Sequence, residues 1–151
     1  MIISFVGHAF IPSAELLKNR VKEILRASVN EGEKVTFYIG GYGDFDRISA
    51  SCCKDLKREH LDVEIVLVLP YLSFSKEGKL GSLIESGAYD ATLFPPIENV
   101  PKQFAISRRN EWMIENSDLI IAFVKNDYGG AYKSLRFAKR KNKKIINLCE
   151  I

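Results

Sequence analysis

Hydrophobic positions along the chain gather into six short runs separated by longer stretches of mixed character. Ile2 to Val6, Val35 to Ile39, Val63 to Leu69, Ala91 to Phe94, Leu119 to Val124 and Lys144 to Leu148 are apolar or β-branched, and most are continuous rather than alternating. Runs of this kind predict strands covered on both faces, as in a parallel sheet. Between them the apolar period changes to that of a helix. Ser13 to Glu31 places Leu16, Leu17, Val21, Ile24 and Leu25 on one face, with Ser13 as N-cap candidate and Gly32 as a stop. Asp44 to His60 spaces Phe45, Ile48, Cys52 and Leu56 helically, Pro101 to Ser117 opens on a proline suited to a first turn, and Ala131 to Lys141 carries Ala131, Leu135 and Ala138 on one stripe. The alternation predicts an α/β fold: a doubly wound, mainly parallel sheet of about six strands with helices on both faces and right-handed crossovers. Residues 71 to 90, with Gly78, Gly81 and Gly87 among Ser and Lys, read as a mobile loop holding one weak helix, placed where a lid would lie.

A chain of 151 residues is the size of one ordinary domain, so residues 1–151 are expected to form a single unit. A charge of +3, partly concentrated in Lys139 to Lys144, is too small to predict a dedicated nucleic-acid surface. Cys52, Cys53 and Cys149 have no metal-site or disulfide spacing, which predicts a reducing, cytoplasmic setting and no metal. No apolar run approaches the ~20 residues of a membrane span, so no membrane partner is expected.

Ligands of open parallel sheets bind beyond the carboxyl ends of the strands, where strand order reverses. That rule selects Gly7 and His8, Gly40 to Asp46, Pro70 and Tyr71, Pro95 and Pro96, and Asn126 to Gly130 as the lining of one crevice. Gly40, Gly41 and Gly43 end a strand and precede a helix, and Gly129 with Gly130 repeats the pattern. Glycines there let a backbone approach a phosphate, and the helix N-terminus behind them offers free N–H groups. Asp44 and Asp46 either cap that helix or bind sugar hydroxyls, and two carboxylates beside a phosphate would repel it, so at most one faces a ligand. Ile106, Arg109 and Met113 share one helical face. An inward guanidinium needs an anionic ligand or a structural partner such as Glu111, Asp118 or a loop aspartate. His8 is read either as a phosphate-binding or acid–base group or as a polar residue ending a strand. Cys52 and Cys53 lie mid-helix, away from any terminus that would activate a thiol.

Taken together, SFVGH, IGGYGDFDRIS, RNEWMIENSDLIIAFV and YGGAYKSLRFAKRKNKKIINL resemble the SLOG superfamily of Rossmann-like nucleotide-binding proteins, which includes the Lonely Guy phosphoribohydrolases and the DprA DNA-processing proteins. The resemblance covers nearly the whole chain. It implies a nucleotide or nucleotide-derived ligand, no further cofactor, and pairing into a homodimer through helices; it places the catalytic arginine of the Lonely Guy enzymes on Arg109. Those enzymes follow their late glycine turn with a threonine and, three residues on, a glutamate. Here Gly130 is followed by Ala131, Tyr132, Lys133 and Ser134, with no carboxylate. An oxocarbenium-like transition state wants such a charge, which only Glu111 or Asp44 is left to supply. The expected function is therefore binding or sensing of a nucleotide. The alternatives are N-glycosidic hydrolysis or transfer and, third, DprA-like DNA binding.

Overall fold

The computed structural model describes residues 1–60, 62–71 and 87–149. The six apolar runs form β1 (Ile2–Gly7), β2 (Val35–Ile39), β3 (Val63–Val68), β4 (Ala91–Leu93), β5 (Leu119–Phe123) and β6 (Lys144–Asn147). Every ladder is parallel, and the strands lie in the order β4-β3-β2-β1-β5-β6. The chain starts in the middle of the sheet, moves to one edge and then returns to the far side of β1. Strand order therefore reverses between β1 and β5.

Four helices connect these strands among the described residues: α1 (Ala14–Ser28), α2 (Asp44–Glu59), α3 (Lys102–Glu115) and α4 (Gly129–Arg140). The continuous apolar strands make sense once both faces are covered. Ile3, Phe5, Phe37, Ile39 and Ile65 point into one core with Leu17, Val21, Leu25, Phe45, Cys52 and Leu56 of α1 and α2. Val6, Ile120 and Ala122 point the other way, against Ile114 of α3 and Leu135 and Ala138 of α4, and Val66 and Val68 meet Met113 of α3. Successive side chains of a strand alternate faces, so a strand with two dry faces has few polar positions to spare.

Three expectations change in detail. Leu16 is 75% exposed, because Leu17, Val21 and Leu25 take the inward stripe of α1. That helix ends at Ser28, before Gly32. The last helix begins at Gly129, two residues early, so both late glycines belong to its first turn. The expected lid and weak helix of residues 71 to 90 fall mainly on residues 72–86, outside the described residues. Among the described residues, no helix is long and apolar enough to cross a membrane.

Candidate functional site

A cavity of about 330 Å³ opens where β1 and β5 end, at the reversal of strand order. Its floor is the exit of β1, from Ser4 through Gly7 and His8 to Ala9; its walls come from Tyr42 and Asp46, from Ile106, Arg109 and Asn110 of α3, and from Asn126, Tyr128, Gly129, Gly130 and Ser134. Of the residues selected from the sequence, Gly7, His8, Asp46, Arg109, Gly129 and Gly130 come together there. Gly40, Gly41, Gly43, Asp44 and Glu111 are not in the wall.

Arg109 is 2% exposed and spans from α3 to the ends of two strands. Its Nη1 donates to the Gly40 carbonyl at 2.8 Å and to the Val68 carbonyl at 2.7 Å, and Nε donates to Asn110 Oδ1 at 2.8 Å. The ends of parallel strands leave carbonyls without ladder partners, and a planar donor fork suits two neighbouring carbonyls better than an ammonium does. Gly40 leaves room for this approach: a Cβ there would stand 3.1 Å from the Arg109 Cζ and 3.1 Å from Asp46 Oδ2, so both side chains would have to give way slightly. Burial depresses the guanidinium from its ordinary value, and the Asp46 charge opposes that shift. The structure thus answers the question left by the sequence. The partners of the inward arginine are strand-end carbonyls and Asp46, rather than Glu111 or Asp118.

The two loop aspartates divide their work. Asp44 turns away from the cavity: Oδ2 accepts the Ile11 N–H at 2.7 Å and Oδ1 accepts Arg47 Nη2 at 2.6 Å, while its own N–H bonds the Ala9 carbonyl at 2.8 Å. The Ile11 bond is the largest influence holding its carboxyl below the usual range. Asp44 therefore ties the exit of β1 to the start of α2, and Gly43 (φ +92°) permits the contact, since a Cβ would stand 2.7 Å from the Ala9 Cα. Asp46 lines the cavity, and Oδ2 accepts the Tyr42 N–H at 3.0 Å. Burial pushes its carboxyl up to about 6, against the Arg109 charge and the Tyr42 bond. It is the carboxylate of the cavity wall among the described residues.

At the opposite end lies the start of α4. Its N-cap, Tyr128, makes no side-chain capping bond, and Cβ atoms added at Gly129 or Gly130 would meet nothing within 4 Å. First-turn N–H groups left without a cap beside open space form an anion-binding end. Ser134, one turn on and 8% exposed, stands where the resemblance would put a glutamate. His8 joins the ends of β1 and β5: Nε2 accepts the Lys125 N–H at 2.8 Å, which requires the neutral ring, and burial followed by the Lys125 charge hold its pKa below the usual value. The wall residues Asn110 and Ser134 escaped sequence reasoning. Helical spacing alone could have found them, one residue beside Arg109 and one turn beyond Gly130.

Two lysines of the basic run contact the end of α3, while Arg140 and Lys144 are exposed. Lys143 Nζ donates to the carbonyls of Glu115 and Ser117 at 2.9 and 3.0 Å, and Lys141 lies 3.5 Å from the Glu115 carboxylate, so both close off the end of α3.

No protein-family model matches the chain. It is 24% identical over 146 residues to the uncharacterized SPbeta prophage-derived protein YoqJ of Bacillus subtilis strain 168, covering 85% of this chain and 84% of that protein. DNA processing protein A from Helicobacter pylori, solved in a study of its single-stranded DNA binding mode, superposes with a TM-score of 0.68 at 17% identity, over 96% of this chain and 63% of its own. TM1055 gives 0.58 at 12% identity over 95% of this chain and 71% of its own. DprA from Streptococcus pneumoniae gives 0.54 at 12% identity over 98% of this chain and 59% of its own. This chain therefore spans about three fifths of each of the two DNA processing proteins. Sequence identity this low carries the fold and not the activity, and at that level the likeness agrees with the fold expected from the motifs: the chain has a Rossmann-like α/β fold.

Proposed function

We propose that the chain binds a nucleotide or nucleotide-derived ligand in this cavity, as a binding or sensing module. The observation that carries the reading is the pairing of an uncapped, glycine-opened helix N-terminus with a cavity at the strand-order reversal. Tyr42 and Tyr128, 61% and 69% exposed, add flat faces at the wall on which a base can stack. Catalysis is given less support. The helical turn after Gly130 presents Ser134 in place of a carboxylate, which removes the charge that breaking an N-glycosidic bond would use.

Asp46 favours one second reading, hydrolysis or transfer at the N-glycosidic bond. It is a carboxyl in the cavity with a pKa of about 6, suited to protonating or attacking at the sugar, whereas Glu111 and Asp44 face elsewhere. Release of free base from the bound nucleotide would support it. DNA binding, named for the Helicobacter pylori neighbour, is supported less: Lys141 and Lys143 of the basic run are engaged with α3, which leaves Arg140 and Lys144 exposed there.

Thermal melts against nucleoside mono- and diphosphates, nucleotide sugars and cyclic nucleotides test the proposal. A ligand at a hundred times its Kd contributes about 2.7 kcal/mol, or about 5–10 °C for a domain of this size. Absence of a shift across the whole panel contradicts a free-ligand site.

A further inference from the structure

We propose that Asp46 reads the paired hydroxyls of the ligand's sugar, with the anionic end of the ligand at the N-terminus of α4, so that the site takes ribonucleotides in preference to 2′-deoxyribonucleotides. The inference rests on the nucleotide reading above and fixes the direction in which the ligand lies. Arg109 is the obvious candidate for a phosphate clamp, but its Nε and Nη1 are committed to Asn110, Gly40 and Val68, which among the described residues leaves Nη2 alone. At that end of the cavity the Asp46 carboxylate offsets the arginine's charge. A phosphate placed there would meet a carboxylate, whereas the far end offers amide N–H groups and no acidic side chain in the first turn. The two ends therefore sort the ligand's groups by chemistry.

A carboxylate accepts hydrogen bonds and, when ionised, donates none, so its complement on a nucleotide is an O–H or N–H group. Among the described residues the Asp46 carboxylate has one hydrogen bond, from the Tyr42 N–H to Oδ2. Acceptor capacity remains on both oxygens, and vicinal hydroxyls offer two donors close together. The Tyr42 bond also couples the carboxylate to the segment carrying an exposed aromatic ring, which places sugar and base recognition on residues four positions apart.

Isothermal titration of the parent and of Asp46→Asn, with adenosine, guanosine, cytidine and uridine 5′-monophosphates and their 2′-deoxy counterparts, tests this. Asparagine keeps the shape and an acceptor for Tyr42 but cannot accept on both arms. The tightest ribonucleotide should bind the parent about 10-fold or more tighter than its deoxy form, as for a hydrogen bond to a charged group. In Asp46→Asn that ratio should fall below about 3-fold while deoxynucleotide binding persists. Equal binding of both sugars by the parent overturns the inference and leaves the nucleotide site standing. So does an unchanged ratio in the variant. Failure of the parent to bind any of the eight overturns this assignment, and the wider panel of the thermal melts then decides whether the site itself stands. Should Asp46→Asn not fold, the parent's ratio and Asp46→Glu, which moves the carboxylate outward and should also lower the ratio, decide the matter.

Discussion

Arg109→Ala is expected to lower the melting temperature by about 10 °C or more, whether or not a ligand is present. The change removes a buried side chain that serves the carbonyls of Gly40 and Val68 and faces Asp46. Leaving each of these two buried carbonyls without its donor costs about 1–3 kcal/mol, the lost packing adds to it, and each kcal/mol is worth about 2–4 °C in a domain of this length. Arg109→Lys should recover little of the loss, since an ammonium lacks the planar fork that reaches Asn110 and the strand ends together. The prediction bears on function as well. Loss of binding in Arg109→Ala would follow from damage to the scaffold, so that variant alone cannot assign the arginine a role in chemistry. A melting temperature within about 2 °C of the parent would contradict the structural role.

Gly7→Ala should be comparably severe for a different reason. A Cβ at position 7 would lie 2.3 Å from Cγ and Cδ2 of Phe45 and 2.6 Å from its Cβ. Phe45 is fully buried, with its ring edge-on to Phe5 at 6.3 Å and stacked near Phe123 at 6.1 Å, so it has nowhere to retreat. Overpacking a core of this kind costs about 3 kcal/mol, and the backbone of α2 must shift to relieve it. Melting curves of Gly7→Ala and Gly130→Ala make the comparison. The second substitution adds a methyl group that meets nothing within 4 Å in a helix, and should stabilise by about 0.5–1 kcal/mol. Equal behaviour of the two variants would mean that the glycines are retained for a common backbone reason and not for packing and access respectively.

The six strands were legible because parallel strands with both faces covered are mainly apolar, as Leu119–Phe123 illustrates, while Thr36 and Glu64 occupy half-buried positions in β2 and β3. Helix ends were less so. Glycines have poor helix propensity, which made Gly129 and Gly130 read as loop, although an N-terminus open to a cavity tolerates them. The site was partly legible: the strand-end rule brought Gly7, His8, Asp46, Gly129 and Gly130 to one place without any knowledge of strand order. The choice between Asp44 and Asp46 was not. They stand two positions apart on one helix, about 200° around its axis, so only one can face the cavity, and which one depends on the Ile11 and Ala9 contacts made 33 to 35 positions earlier in the chain. The partners of Arg109 were hidden for a related reason. Gly40 and Val68 lie far from it in sequence and meet it only because β2 and β3 are neighbours in the sheet.

The central claim is that the start of α4 receives the ligand's anionic group. Isothermal titration of the best-binding nucleoside monophosphate into the parent and into Gly130→Glu tests it most directly. A glutamate there enters open space and suits the first turn of a helix, so the variant should melt at or above the parent temperature. Its carboxylate would occupy the anion's place, and affinity should fall about 10-fold or more, the size of one charge-assisted hydrogen bond. Undiminished binding by a folded Gly130→Glu protein would contradict the account.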